Sequence, residues 1–236
     1  MRLDKFLADA GIGSRSQLRD LIRRGHVTVN GTVCRQADCK VETTDAIALD
    51  GEPIAYETSV TVMMNKPEGY LSATADERGD KFVTELLDAR LQRMDLKPAG
   101  RLDKDSTGLL VLTNDGNLIH SVISPTRHVH KRYEVTLSAP LPADAHAQIA
   151  QGITLEDGYR CLPGRLEYET GALTAVVEIR EGKFHQVKRM MAALGSTVLT
   201  LHRVKIGALV LDETLKLGEY RRLTNAEIEL LLFSNS

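Results

Sequence analysis

The 236-residue chain has no tryptophan, four phenylalanines and six tyrosines, so flat aromatic surface is scarce. Its three cysteines, Cys34, Cys39 and Cys161, are an odd number and form no CxxC pair. Neither a disulfide framework nor a zinc knuckle is supported, and reduced thiols are expected. No stretch approaches the roughly 18 consecutive apolar residues of a membrane span. Met1-Arg2-Leu3-Asp4-Lys5 lacks the apolar block of a secretory signal. These absences predict a cytoplasmic protein with no membrane partner. Glycine-rich phosphate cradles such as GxGxxG or a P-loop are also missing, which argues against a nucleotide cofactor. Nor is there an excess of either charge: 30 Lys and Arg face 32 Asp and Glu, for a net −2. Such a balance excludes a protein that coats nucleic acid indiscriminately.

What is present is a foldable composition, 42% hydrophobic and 26% charged, long enough for one large or two modest domains. The cations are unevenly placed. Residues 1–40 hold eight Lys and Arg against four acids, whereas residues 41–59 hold five acids and no base. Between Arg180 and Lys205, six Lys and Arg face Glu181 alone, and Arg127 to Arg132 packs two His, two Arg and one Lys. Any one cluster alone reads as solvated surface. Three in a mildly acidic protein suggest a polyanion tracked across the molecule.

Leu3, Phe6, Leu7 and Ala10 recur at helical spacing until Gly11 and Gly13 stop the run. Ser14 with Gln17 is a capping-box pattern that opens a second helix closed by Gly25. Leu18, Leu21 and Ile22 form its buried stripe, while Arg15, Arg19 and Arg23 line a neighbouring face and repel one another unless anions sit opposite. Asn30-Gly31 between Val27-Thr28-Val29 and Thr32-Val33-Cys34 predicts a type I′ hairpin, and Asp50-Gly51 predicts another turn. Pro53 to Ser59, poor in pattern, reads as a linker, dividing the chain into domains at 1–59 and 60–236. Beyond it, strands are expected at 60–65, 108–113, 133–137, 165–168, 173–179 and 198–204, and helices at 83–91, 117–123, 143–151, 184–194 and 225–233. Several strands follow one another through tight turns, so an α+β fold with a largely antiparallel sheet is expected.

The run Gly100-Arg101-Leu102-Asp103-Lys104-Asp105-Ser106-Thr107-Gly108, followed by Leu109-Leu110-Val111-Leu112, feeds a charged loop into an apolar strand, which sets carboxylates on a rigid edge. A plain structural role fits equally: Asp103 could cap a turn or pair with Arg101. Asp103-Lys104-Asp105-Ser106-Thr107 also matches the DxDxT pattern of aspartate-nucleophile phosphatases, but only Leu102 precedes it where an apolar strand belongs. Asp103, Asp105 and Gly108 fit positions one, three and six of a calcium loop, but Asn114 at position twelve cannot supply the bidentate carboxylate.

Several motifs together resemble a known family. Arg2-Leu3-Asp4-Lys5-Phe6-Leu7, Ser14-Arg15, Ile22-Arg23 and Val27-Thr28-Val29-Asn30-Gly31 resemble an S4 domain, a module that binds structured RNA. Asn65-Lys66-Pro67-Glu68-Gly69, the Asp103 run with Thr107-Gly108-Leu109-Leu110, Lys131-Arg132-Tyr133, and Glu181-Gly182-Lys183-Phe184-His185-Gln186-Val187-Lys188-Arg189-Met190 follow in the order of the RsuA group of pseudouridine synthases. The resemblance covers nearly the whole chain. It implies a small S4-like α/β domain ahead of a larger synthase domain built on a mainly antiparallel mixed sheet flanked by helices. It further implies Asp103 as the catalytic aspartate, Tyr133 as the active-site tyrosine and Lys188 as the cation paired with the aspartate. Many relatives carry Arg at this last place, and Lys lacks the bidentate fork. Phe184, Val187, Met191 and Leu194 are expected on the buried side of that helix, with His185, Lys188 and Arg189 facing elsewhere.

Isomerising uridine breaks the bond from N1 to ribose, turns the base and joins C5 to the same carbon. A carboxylate at the sugar suits that task, whether it traps the anomeric carbon or removes a ribose proton. Tyr133 could stack on the base or accept the C5 proton. No electron or phosphate moves, so no cofactor and no metal is expected. The cations expected at the RNA are Arg2, Lys5, Arg15, Arg19, Arg23, Lys66, Arg101, Lys131, Arg132, Lys183, Arg189 and Arg203, with His185. With few aromatics, recognition through backbone and shape is expected. The Lys183 to Arg189 wording is more similar to the branch that modifies small-subunit 16S RNA, of the uridine-516 type, than to large-subunit branches. A monomer acting on ribosomal RNA, naked or within a small-subunit assembly intermediate, is the resulting expectation. A noncatalytic RNA-binding protein and a magnesium-dependent phosphatase are the competing readings.

Overall fold

The computed structural model describes residues 1–57, 59–73 and 79–233. It divides into two compact units, one of Met1–Val60 with Leu87–Leu96, the other of Thr61–Leu86 with the chain from Lys97 onward. In the first, α1 (Leu3–Asp9) and α2 (Arg15–Arg24) pack beside a four-stranded sheet. Ser14 and Gln17 close the capping box in both directions, and Gly25 ends α2 in the left-handed region at φ 87°. Strands β1 (Val27–Val29) and β2 (Thr32–Val33) turn through Asn30 and Gly31, at φ 51° and 77°. Asp50 and Gly51, at φ 50° and 88°, turn β3 (Ile47–Leu49) into β4 (Glu52–Pro53). Both turns have the positive φ pair that type I′ demands. Leu3, Phe6, Leu7, Leu18, Ile22, Val27, Val41 and Ile47 are the core.

Two local expectations change here. Pro53 to Glu57 is not free chain: Tyr56 stacks on Phe6 at 4.6 Å between centroids, and its hydroxyl donates to Asp9. Thr58, inside the expected linker, lies outside the described residues. The helix expected over 83–91 is two pieces, a 3-10 turn at Val83–Leu86 and α3 (Ala89–Arg93). Asp88 divides them, because its side chain accepts from the backbone N–H groups of Arg90 and Leu91 and so begins a new helix. The second piece belongs to the first unit, where Arg90 Nε donates to the Ala10 carbonyl at 3.0 Å.

The second unit contains β5 (Thr61–Lys66), β6 (Tyr70–Leu71), β7 (Lys81–Phe82), β8 (Lys97–Pro98), β9 (Thr107–Thr113), α4 (Gly116–Ile123), β10 (Lys131–Leu137), α5 (Ala145–Gln151), β11 (Arg165–Tyr168), β12 (Thr174–Ile179), α6 (Gln186–Ala193), β13 (Val198–Ile206), β14 (Leu209–Val210), β15 (Tyr220–Arg222) and α7 (Asn225–Leu230). Its main sheet runs β11-β12-β10-β13-β9-β5-β15, with β14 on β13 and β8 on β9. Only β13 and β9 pair in parallel within it, so the sheet is mixed but mainly antiparallel. One core cluster joins α5 and α6 to β10, β11 and β12 through Val135, Ile149, Leu166, Val177 and Met191. Another joins α4 to β5 and β9 through Leu118, Val122, Met63 and Val111. Among the described residues no helix is long and apolar enough to cross a membrane.

The register sets the site. Tyr133 on β10 lies opposite Arg203 on β13, Arg203 beside Gly108 on β9, and Gly108 opposite Lys66 on β5. Partners abreast share a face, so four strands align Tyr133, Arg203, Gly108 and Lys66 in one row. Arg132 pairs with Lys205 yet Tyr133 pairs with Arg203, leaving Val204 as the extra residue of a bulge that turns Arg203 inward. Gly108 is at φ 103°, and a Cβ there would lie 2.3 Å from the Arg203 carbonyl oxygen. Only glycine permits that approach.

Candidate active site

Two buried cations shape the loop that carries Asp103. Lys66 is fully buried, and its ammonium donates to the carbonyls of Ser106 at 2.7 Å, Asp103 and Pro67 at 3.0 Å and Lys104 at 3.4 Å. Burial pulls its pKa down to about 8, although the charges of Asp105 and Asp103 oppose the change. Arg203, 1% exposed, donates from Nε to the Leu109 carbonyl at 2.8 Å and from Nη1 to the Arg101 carbonyl at 3.2 Å. It therefore ties the strand after the loop to the residue before it. Ser72 Oγ accepts from the Leu102 N–H and donates to the Leu102 carbonyl. Every residue from Arg101 to Ser106 except Asp105 is thus held through its backbone, a preorganised support for one side chain.

The Asp103 carboxylate stays open, 30% exposed, with an ammonium and an imidazole beside it. Lys188 Nζ stands 3.5 Å from Oδ2, and His185 Nε2 stands 3.5 Å from Oδ1. Both come from the start of α6, which seats Val187, Met190 and Met191 in the core and leaves Lys188 reaching outward. The ammonium is closer to Asp105, at 2.6 Å, than to Asp103. That hydrogen bond holds the Asp105 carboxyl below its ordinary range. Lys188 is therefore shared by two carboxylates rather than paired with Asp103 alone. Tyr133 is buried in the same core cluster as Leu102 and Val187, with the Arg203 guanidinium 6.0 Å from its ring centroid.

The cations expected at an RNA surface fall into three groups. Lys66 and Arg203 are buried and turned onto backbone carbonyls, so they are structural cations and not surface contacts. Lys131, with its ammonium on the Val129 carbonyl, is largely desolvated, and burial lowers its pKa to about 8. A second group is paired with acids: Arg2 and Arg19 with Asp4, Lys5 with Asp9, Arg23 with Asp20, Arg132 with Glu167 and Arg189 with Asp157. The α2 arginine row is thus partly neutralised from within, because Asp4 and Asp20 face it. Arg15, Arg101 and Lys183 are exposed with no carboxylate partner among the described residues, and Lys183 lies over the Tyr159 ring at 5.0 Å.

Phe184 is not on a buried helical stripe. It is 76% exposed, because the chain enters α6 only at Gln186, after His185 in the left-handed region at φ 50°. Asp105 and Ser72 are further parts of the site that motif reading left out, Asp105 having entered only through rival motifs. Those rivals meet structural obstacles. No strand runs directly into Asp103, which precedes β9, and the position between Asp103 and Asp105 is taken by the Lys188 ammonium. Among the described residues no group of three or more His, Cys, Asp or Glu is arranged to hold a metal ion.

The model of the RNA pseudouridylate synthase family matches residues 60–193, and that of the S4 domain matches residues 1–47. The chain is 43% identical to ribosomal small subunit pseudouridine synthase A of Vibrio cholerae, covering 97% of this chain and 98% of that protein. It is 41% identical to the uncharacterized RNA pseudouridine synthase YtzG of Bacillus subtilis, over 98% of both. A solved pseudouridylate synthase superposes with a TM-score of 0.69 at 39% identity, covering 98% of this chain and 99% of the other. A carboxylate loop gripped by two cations of a mixed sheet, the order of the motifs and near full-length similarity agree: the chain belongs to the RNA pseudouridylate synthases that carry an N-terminal S4 domain.

Proposed function

We propose that the protein isomerises one uridine of small-subunit ribosomal RNA, the 16S uridine-516 type of site, using Asp103 and no cofactor. The observation that carries the reading is an open carboxylate whose backbone is fixed at Leu102, Asp103, Lys104 and Ser106 while its side chain is left available. As the N1–C1′ bond breaks, positive character grows at C1′, and the fixed carboxylate meets it there, by bonding to C1′ or by taking a ribose proton. After the base turns, C5 bonds to C1′, C5 loses its proton and N1 gains one. Lys188 sets positive charge beside the carboxylate, His185 lays an imidazole edge against it, and Tyr133 forms the buried wall of the site. The relatives named for small-subunit RNA, similar over nearly their whole length, support the substrate class. The S4 domain supplies further RNA contact, with Arg15 among its exposed cations that have no carboxylate partner among the described residues. We place the protein in the cytoplasm as a monomer, acting on naked RNA or on an assembly intermediate.

A target uridine must leave its stack to reach Asp103, which costs a few kcal/mol. The test is incubation with 16S RNA or precursor particles without added cofactor, mapping pseudouridine by chemical adduct and primer extension. Wild type forms the product at one position and Asp103→Asn forms none. Equal product from both would remove Asp103 from the reaction.

A further inference from the structure

Phe184 is the most exposed large apolar side chain among the described residues, and it stands on a loop built to hold it still. Glu181, itself buried, accepts from Gln186 Nε2 at 2.6 Å, the Leu162 N–H at 2.9 Å and the Tyr159 hydroxyl at 2.6 Å. Gln186 Oε1 in turn accepts from the Lys183 N–H at 2.9 Å. Between these anchors His185 adopts φ 50°, a conformation that costs a side-chain-bearing residue free energy and clusters at functional sites. Its effect is to lay the imidazole flat against Phe184, with centroids 3.8 Å apart and planes 16° from parallel. The other edge of the same imidazole reaches Asp103 at 3.5 Å. One ring face of Phe184 is therefore covered by His185 and the other is open to solvent, one imidazole away from the carboxylate.

We propose that Phe184, backed by His185, is a stacking platform for an unpaired RNA base belonging to a nucleotide next to the target uridine. The proposal rests on the uridine-isomerising reading of Asp103. A base on the open face of Phe184 is separated from Asp103 by two rings, too far for the reacting nucleotide and suited to its neighbour. Base–aromatic stacking tolerates any base, so the platform grips the strand while the target is turned out. Arg101 and Lys183, both exposed, supply charge for the phosphates on either side. In a chain so poor in aromatics, a rigid and exposed ring pair at the reacting carboxylate is otherwise an unexplained cost.

The experiment compares binding of an unmodified 16S RNA transcript by wild type, Phe184→Ala, Phe184→Leu and Phe184→Trp. Loss of one base stack weakens binding about 5- to 150-fold. Alanine and leucine variants should both show it, leucine because it keeps apolar bulk without a ring, and the Trp variant should bind more tightly than either. The chain has no other tryptophan, so emission from Phe184→Trp reports this position alone and should be quenched by the transcript. Transcripts with an abasic residue on one or other side of the modified uridine should abolish the difference between Phe and Ala at one of those two places. Wild-type affinity in the Ala and Leu variants, unmoved emission at saturating RNA, or a difference that persists with both abasic transcripts would overturn the platform. Quenching in a protein that makes no pseudouridine would instead sink the reaction and leave the platform standing; product without quenching would do the reverse. Melting temperatures of the variants should match wild type, since the Phe184 side chain is exposed and outside the core.

Discussion

Replacing Lys66 with methionine tests whether the buried ammonium positions Asp103. Three hydrogen bonds of 3.0 Å or less run from this charge to the carbonyls of Ser106, Asp103 and Pro67. At about 1.5–3 kcal/mol for each bond to a charged group, their loss is worth roughly 5–9 kcal/mol. Against that, keeping a proton whose pKa burial has drawn from 10.5 to about 8 costs about 3 kcal/mol at neutral pH, a cost the variant escapes. The net is roughly 2–6 kcal/mol of stability, or a Tm lower by roughly 4–24 °C. The loss of turnover should be larger than that suggests, because a displacement of about 1 Å at a reacting group can cost on the order of 100-fold. Lys66→Met should therefore fold, bind RNA within a few-fold of wild type, and form pseudouridine about 100-fold more slowly in single-turnover assays. The pH dependence gives an independent check of sign. The folded pKa lies below the unfolded one, so between about 8 and 10.5 the unfolded chain holds a proton that the folded chain has lost, and stability from this group rises with pH. Wild type should gain Tm relative to Lys66→Met from pH 7 to pH 10. A folded variant with wild-type turnover would refute the positioning role, and a Tm difference that shrinks with pH would refute the burial of the charge.

Gly108→Ala forces a Cβ to within 2.3 Å of the Arg203 carbonyl oxygen at φ 103°, so β9 must separate from β13, and differential scanning fluorimetry should show loss of more than about 3 kcal/mol or no folded protein. Gly116→Ala, whose Cβ meets nothing within 4 Å, is the control; equal melting of the two variants would contradict the close approach. A second test concerns acid stability. Hydrogen bonds from the Thr214 hydroxyl and N–H, then Arg221, lower Asp212 to about 2, and Arg221 followed by Thr224 lowers Glu227 to about 2. Folded values below the unfolded 3.8 and 4.5 mean that this stabilisation is complete above those values and is lost as pH falls toward 2. The Tm gap between wild type and Arg221→Gln should be widest near pH 6 and close by pH 2–3; a gap independent of pH would show that the pairing does not operate.

The elements that sequence reading located best are those whose causes are local. Ser14 and Gln17 specify the start of α2 through two hydrogen bonds three residues apart, and Asn30-Gly31 specifies its hairpin through a backbone conformation few residues accept. Asp88 acts as locally as Ser14, yet the apolar pattern runs through it from Val83 to Leu91 and so hides the break. The Phe184 error has another origin. Helical spacing was extended two residues too far, and nothing in Lys183-Phe184-His185 announces that His185 departs from helical φ. Short strands such as β8 and β15 carry too few residues for alternation to show, and they exist because β9 and β5 offer them open edges.

Lys66 and Arg203 differ from expectation for a deeper reason, since charge is visible in a sequence and burial is not. All six residues of β5 are buried, so no alternation distinguishes the face on which Lys66 lies, and the bulge at Val204 removes the alternation around Arg203. Their partners explain why two cations belong in the interior of this particular sheet. Among the described residues neither is paired with a carboxylate; both donate to main-chain carbonyls, and Lys66 takes the carbonyl of Asp103 while leaving its carboxylate alone. Had Lys66 bound the Asp103 side chain, the loop would be fixed but the carboxylate oxygens would be occupied. Holding a residue by its backbone is the arrangement that gives both rigidity and an open acid, and it requires donors long enough to reach the loop from neighbouring strands. Lysine and arginine are the longest donors available, so the interior charge follows from the need to keep Asp103 fixed and free together.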